Sequence, residues 1–561
     1  MRILLLCHGF NSLSQRLHVD LRRAGHDVSV ELDIHDDLTR EAIAMFAPDL
    51  VIAPFLKRPI PADVWRKTLC LIVHPGIRGD KGPSALDWAI LSDEPVWGVT
   101  LVEAREDMDA GPVWAWREFK MRQARKSSLY RHEVTEAAVA CVFEAIERLQ
   151  RGRRAGMPAN WGKGRQRPAC RKADRTIDPA MQTAGEALRI IQASDGDPGA
   201  LVTIAGQPFL AFDATVAEGL SGPPGALIGR AGGRVCLAFA TGALWIGHLR
   251  RPEKGALKLP AARLLERETA DLPALEAPAN CLLRIEGGVG FLDFHFYNGA
   301  MSADDCDEMR KAVVAAKTSG LSVLVLQSDA DCWSNGIHLG VIESAASPAD
   351  ESWCNINAMN ALVLEIIDSP DCIVIAGLIG NAGAGGVFLS LAADEVWMRG
   401  GVILNPHYKD MGNLYGSEYW TYLLPARVGE DRARHVTQAR LPMGIDEAMT
   451  LGLVTRRLAA DAAAARAEIC ESTLALAASP VLAERLAEKR ARRDRDEAAK
   501  PLEAYRAEEL QRMRRNFYGF DPSYHVARYN FIRKTPKSRT PVTLAVHRAN
   551  KEGVDRGRNM R

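Results

Sequence analysis

Short β-rich runs alternate with helical patterns along this chain, and they do so in two separate stretches. "RILLLC", "DVSVEL", "DLVIAPF" and "TLCLIVH" fill the first 74 residues, spaced by helical patterns such as "SQRLHVDLRRAG", which closes on Gly25. Strands that alternate with helices are joined by crossovers, so the spacing predicts a mostly parallel sheet with both faces covered. Ligands of such sheets bind in loops beyond the carboxyl ends of the strands. The alternation restarts at Leu282 with "GVGFLDFHFYNGAMS", "SVLVLQS" and "CIVIAGLIG", each followed by a helical pattern. A second α/β domain begins there.

The stretch between the two is different in kind. From Ile177 to Pro278 a helical piece, "AGEALRIIQAS", precedes short strands split by "GPPG" and "AGG", which suggests a small β-barrel. Ahead of it, "NWGKGRQRPACRKADRT" is basic and without period and reads as a linker, its cations accounted for by solvation or by a ligand's phosphates. Beyond Pro480 a charge-rich amphipathic helix runs on, its charges read as a solvated face. The expected fold is therefore multidomain α/β: residues 1–160, a linker at 161–176, a small β-barrel (OB-like) domain at 177–280, a second α/β domain at 281–480 and a helical segment at 481–561.

Charge bears on partners. Lys plus Arg number 71 against 70 Asp plus Glu, so no global field recruits nucleic acid or a membrane surface. The opening apolar run is too short for a secretory signal, and no later stretch is long enough to span a bilayer. The expectation is a cytoplasmic protein. Eleven cysteines without a C-x-x-C pair read as reduced thiols, and His8, His338 and His407 lack metal-ligand spacing, so no bound metal is expected.

Two regions carry chemistry. In the first, "GFNSLSQRL" follows the first strand and enters a helix, where backbone amides suit an anion and Ser12, Ser14 and Gln15 add donors. Further on, a strand ends in His74, a glycine-bearing loop and a helix follow, and an acidic loop closes in Asp109-Ala110-Gly111. An imidazole near its natural pKa can shuttle a nucleophile's proton to a leaving group, and a nearby carboxylate stabilises its charged form. In the second region, "GNAGAGGVFLSLAADEV" is a glycine-rich turn running into an apolar helix, and "CWSNGIHLG", "NGAMS" and "DEAMTLGLV" lie around it.

The first pattern resembles the folate-dependent formyltransferases, and the β-rich stretch after it resembles the carboxy-terminal domain of methionyl-tRNA formyltransferases. The resemblance implies His74 and Asp109 as the catalytic pair. It also exposes a departure, because the asparagine that the family places two residues before the histidine is Ile72 here. Losing one oxyanion donor costs on the order of a hundredfold in rate, so a better nucleophile than an amine, such as a thiol, suits this site. Ser12, Ser14, Gln15 and Arg16 are candidates for cofactor binding near it, and Ile72 is counted with them.

The second pattern resembles the crotonase (enoyl-CoA hydratase/isomerase) superfamily, a β/α spiral that holds a thioester carbonyl with two backbone amides. The resemblance implies Ile337 and Gly385 as the oxyanion donors. It places Phe388 and Tyr408 where hydratases carry their two glutamates, so water addition to a double bond is not available. Glu418, ten residues after Tyr408 and beyond a glycine-bearing turn, is the candidate base, with Tyr408 as donor or orienting group, or the reverse.

A one-carbon donor site joined to a thioester cradle has formyl-CoA as its shared compound, and formyl-CoA has no α-carbon on which hydratase glutamates could act. The fusion is similar to the hydrogenase maturation factors of the HypX (HoxX) family. That resemblance implies formyl transfer from formyl-tetrahydrofolate to coenzyme A, then decarbonylation to carbon monoxide and CoA, with transient contact to hydrogenase maturation proteins. Two alternatives stay open: a formyl-CoA synthase, hydrolase or other formyltransferase that releases no carbon monoxide, and a non-enzymatic hydrogenase-docking scaffold.

Overall fold

A computed structural model describes residues 1–158 and 162–549, so the first residue of the expected linker and the last twelve of the expected C-terminal segment lie outside the described residues. The chain divides into two compact units: residues 1–278 together with the returning segment from 536, and residues 279–535.

The first unit opens on a six-stranded sheet. Strands β1 (Arg2–Cys7), β2 (Asp27–Leu32), β3 (Leu50–Phe55) and β4 (Cys70–His74) are parallel, and β5 (Val96–Glu103) and β6 (Val113–Lys120) continue it antiparallel, in the order β2-β1-β3-β4-β5-β6. The four apolar runs are the four parallel strands, buried almost throughout, as a doubly covered sheet requires. The helix Ser12–Arg23 ends where Gly25 takes φ +81°.

Strands β7 (Thr176–Ile177), β8 (Ala200–Ile204), β9 (Gln207–Val216), β10 (Leu227–Ala231), β11 (Arg234–Ala238), β12 (Ala243–Arg250) and β13 (Leu259–Pro260) form the small β domain. Its ladder runs β10-β11-β12-β9-β8-β7, with β13 on β12, and among the described residues no pairing joins β7 to β10. The helix Ala184–Ala193, fixed at its start by a Thr183/Glu186 capping box, lays Ala187 and Ile191 into the same apolar core as Phe209 and Leu244.

The unit closes on the chain's far end. Residues from 536 return to β2, the edge strand, where the Val30 amide donates to the Leu544 carbonyl and the Leu32 amide to Thr540 Oγ1. Buried Glu31 accepts from Thr540, His547 and Arg548. An exposed strand edge is thereby covered.

The second unit is built on β14 (Cys281–Glu286), β15 (Val289–Phe294), β17 (Val323–Ser328), β19 (Ile373–Leu378), β21 (Glu395–Arg399) and β23 (Arg456–Leu458), paired in that order, with a first antiparallel hairpin and parallel pairs after it. Two short ladders stand apart from this sheet: β16 (Ala300–Met301) with β18 (Gly336–Ile337), and β20 (Ala382–Gly383) with β22 (Leu404–Asn405). A bridge between Ser334 and Ala382 ties the two together. These ladders carry the glycine turns.

The helices Val481–Ala499 and Leu502–Tyr518 differ from the expected solvated face at two charges. Lys489 and Glu509 are buried, Lys489 donating to Asp394 and to the Cys372 carbonyl. Both stand on stripes that pack inward, Glu509 in register with Leu502, Met513 and Phe517. Among the described residues no helix is long and apolar enough to cross a membrane.

Candidate active sites

In the first unit, β4 delivers His74 at its carboxyl end, the position where open α/β sheets bind ligands. The imidazole is buried between two carboxylates: Nδ1 lies 3.5 Å from Asp109 Oδ2 and Nε2 3.3 Å from Asp80 Oδ2. Asp109 sits in the left-handed region at φ 56°, which an aspartate tolerates, and its Oδ2 accepts the Gly82 amide at 3.4 Å. The glycine of the D-x-G motif is required by contact, since a Cβ on Gly111 would lie 1.7 Å from the Glu103 carbonyl oxygen of β5. Gly76 likewise clears the ring, because its Cβ would fall 2.3 Å from His74 Nε2.

Asp80 and Arg167 escaped the sequence reading. Arg167 Nε donates to Asp80 Oδ1 at 2.9 Å, and its guanidinium lies over the Trp97 ring. Arg167 comes from the basic stretch read as a linker. It is buried, so solvation does not account for it. The visible signal was weak: an aspartate in a glycine-bearing loop and one arginine among many.

The residues at the helix start have local partners. Asn11 caps the helix, its Oδ1 accepting the Ser14 amide and hydroxyl, each at 3.0 Å, and Ser12 opens the first turn, half-buried. Gln15 Nε2 donates to the Phe10 carbonyl, and Arg16 pairs with Asp20 at 2.5 Å and Glu136 at 3.1 Å. Ile72 packs half-buried against the apolar cluster that includes Cys70 and Val51, and presents no donor.

In the second unit the two glycine turns face each other. A Cβ on Gly336, at φ +80°, would stand 3.2 Å from the Gly385 nitrogen. The Gly383 amide donates to the Ser334 carbonyl at 2.9 Å, which sets the turn bearing Gly385 beside the strand bearing Ile337. Ala384 completes the second turn at φ 47°, ψ −125°, a sparsely populated conformation for a residue with a Cβ.

The carboxyl of Glu418 comes to this place. A Cβ on Gly385 would lie 2.4 Å from Glu418 Oε1, so only glycine leaves the carboxyl room there. Glu418 is 1 % exposed. Its Oε2 accepts the Tyr408 hydroxyl at 2.5 Å and the Ser417 amide at 3.1 Å. Burial pushes its pKa up to about 7, against those two hydrogen bonds, which favour the ionised form. Burial also holds the Tyr408 hydroxyl well above the ordinary phenol range, and the neighbouring Glu418 carboxylate adds to this, so Tyr408 is a donor.

Phe388 stacks on Tyr408, with ring centroids 5.1 Å apart and planes 16° from parallel. On its side, Gly416 at φ +91° lets the Tyr408 ring approach where a Cβ would meet it at 2.2 Å. Phe388 and Gly416 thus enclose the Tyr408 ring on two sides.

Three supporting residues lacked a motif. Asn360 Oδ1 accepts the Glu418 amide at 2.8 Å and the Ser417 hydroxyl at 2.9 Å, and its buried Nδ2 has no partner among the described residues. Ser417 lies beside Glu418, and its hydroxyl is shared between Asn360 and Glu509, the latter at 3.3 Å. Among the described residues no group of three or more His, Cys, Asp or Glu could hold a metal ion.

Known proteins match along the same division. The enoyl-CoA hydratase/isomerase family matches residues 285–517, and the formyl transferase C-terminal domain matches residues 170–262. The chain is 54% identical over 552 residues to hydrogenase maturation factor HoxX of Bradyrhizobium diazoefficiens, covering 98% of this chain and 97% of that protein. It is similar to the crystal structure of HypX from Aquifex aeolicus in complex with tetrahydrofolic acid, at 45% identity and a TM-score of 0.95, covering 98% of this chain and 99% of that one. It is also 26% identical to methionyl-tRNA formyltransferase of Desulfotalea psychrophila over 41% of this chain and 71% of that protein.

Proposed function

This chain belongs to the HypX/HoxX family of hydrogenase maturation factors, and from that membership we propose that it makes carbon monoxide in two steps: formyl transfer from formyl-tetrahydrofolate to coenzyme A, then decarbonylation of formyl-CoA. The observation that carries the second step is the buried Glu418 carboxyl set against Gly385 with a tyrosine as its donor. Folate as the formyl donor is supported by the tetrahydrofolic acid held by the Aquifex relative.

In the first unit, His74 takes the thiol proton of CoA as sulfur attacks the formyl carbon, and returns it to the folate nitrogen as the carbon–nitrogen bond breaks. Asp109 and Asp80 flank the ring on its two nitrogens and hold it in place between those two events. Ile72 offers no donor to the oxyanion, and a thiolate, as the stronger nucleophile, tolerates the loss.

The second unit fits a thioester: two glycine turns leave a recess that a Cβ would fill, and a carboxyl opens on it. Ile337 and Gly385 supply the amides that polarise the carbonyl. Glu418 removes the formyl proton, the carbon–sulfur bond breaks, carbon monoxide leaves, and the same carboxyl or Tyr408 protonates the thiolate. Atoms balance as formyl-CoA to carbon monoxide plus CoA. A carboxyl with a pKa of about 7 suits both halves of that task, being ionised enough to accept a proton and acidic enough to return it. Phe388 has no acid to replace, because this substrate has no α-carbon.

The test is the gas. Purified protein given formyl-tetrahydrofolate and CoA should put carbon monoxide into the headspace, dependent on both compounds. Formate with no carbon monoxide would favour a synthase or hydrolase. Hydrogenase maturation that survives loss of both Glu418 and Tyr408 would favour a scaffold.

A further inference from the structure

The chain around Glu418 is held in an unusual conformation. Glu418 at φ 61° and Tyr419 at φ 57° are two successive non-glycine residues in the left-handed region. A bulky side chain there is an outlier that persists only where the surroundings impose it. On one side the restraint is Asn360, through the Glu418 amide and the Ser417 hydroxyl.

On the other side it is Glu509, from the helix Leu502–Tyr518. Its Oε2 accepts the Tyr419 amide at 3.0 Å and lies 3.3 Å from the Ser417 hydroxyl, whose one proton it shares with Asn360. Its Oε1 accepts the Thr421 amide at 2.8 Å and the Thr421 hydroxyl at 2.6 Å. Four donors converge on a carboxylate with none of its surface exposed. Tyr419 and Thr421 open the helix Trp420–Val428, whose N-cap residue makes no side-chain capping hydrogen bond. Glu509 therefore caps that helix from outside, where a negative charge is favoured.

We propose that Glu509 is a positioning residue for decarbonylation: by pinning Ser417, Tyr419 and Thr421 it holds the left-handed turn that aims the Glu418 carboxyl at Gly385. The proposal rests on the reading of Glu418 as the base. The titratable groups facing Glu418 are Tyr408, Cys306 and Glu509, and Tyr415 faces Glu509 from its other side.

The experiment uses the full chain with formyl-CoA as substrate, and measures carbon monoxide release against pH, with formyl transfer from formyl-tetrahydrofolate on the same preparation as control. Glu509→Gln removes the charge and replaces acceptor oxygen by a donor. It should lower kcat for gas release by about tenfold or more, with KM within about threefold and formyl transfer unchanged. The midpoint of the pH profile should stay where it is, because burial sets the Glu418 value. Glu509→Asp keeps the carboxyl with a shorter reach, so kcat should stay low. If Glu509→Gln lowers thermal stability but leaves kcat where it was, the proposal is overturned. Should that variant fail to fold, Thr421→Val, which deletes one of the four bonds, carries the test: a fall of about threefold in kcat is expected, and an unchanged kcat overturns the proposal. Failure of the unmodified chain to release gas from formyl-CoA is a separate result, and overturns the reading of Glu418 itself.

Discussion

On the function proposed, the two sites handle a proton by opposite means. His74 stands between two carboxylates, one of them paired to Arg167, so its charged form is met by fixed charges. The partners of Glu418 are a phenol and a backbone amide, both neutral, and burial alone raises its proton affinity. An imidazole is already poised near neutral pH and needs only a field to steady it. A carboxyl is not, and must be desolvated to reach the same range. The first design is written in charged residues and the second in what surrounds a single one.

Breaking the second design should have the largest effect. Glu418→Gln keeps shape and burial but removes the base, so carbon monoxide release from formyl-CoA should fall about a thousandfold while formyl transfer continues. His74→Ala should do the reverse, lowering formyl transfer on the order of a hundredfold or more while supplied formyl-CoA still yields gas. A variant that disabled both reactions at once would show that the two designs are not separable. Tyr408→Phe sharpens the contrast, since it deletes a donor to the anion and leaves the stack on Phe388. Gas release should drop about tenfold, with the pH midpoint moving up, as a carboxylate that loses a hydrogen bond becomes a stronger base.

The smallest expected effect is on stability. Burial pushes Glu418 and Glu509 each up to about 7. With folded values above the unfolded carboxylate range of about 4.3, the folded state holds protons that the unfolded state has lost. That stabilisation is whole below about 4.3 and is lost as pH rises through about 7. Thermal scans of the chain from pH 5 to pH 8 should show the midpoint of the second unit falling by on the order of 5 °C. Gas release should rise over the same interval. Opposite signs of stability and activity with pH are what a desolvated base predicts, and Glu418→Gln should weaken the stability slope.

Much of the architecture was legible because apolar periodicity is local. "RILLLC" and "DVSVEL" are β1 and β2 residue for residue, and the strand that ends in His74 does so. The glycine turns were legible for a similar reason: Gly111 and Gly385 meet a neighbouring atom at a distance that no Cβ could occupy. What escaped was long-range. Asp80 and Glu509 gain their meaning from Arg167, 87 residues away, and from Thr421, 88 residues away. The return of the chain end to β2 turns on Glu31, a charge inside a strand whose partners arrive more than 500 residues later. A glutamate inside an apolar stripe is a usable sign of such a partner, and both Glu31 and Glu509 had it.

The central claim is that a buried carboxyl takes the only hydrogen from a formyl thioester. It is tested most directly by giving the protein formyl-CoA alone at pH 8 and measuring carbon monoxide and CoA thiol together, with Glu418→Gln beside it. The account predicts equal amounts of gas and thiol from the unmodified chain and almost none from the variant. Thiol accompanied by formate in place of gas, or gas undiminished in the variant, would contradict it.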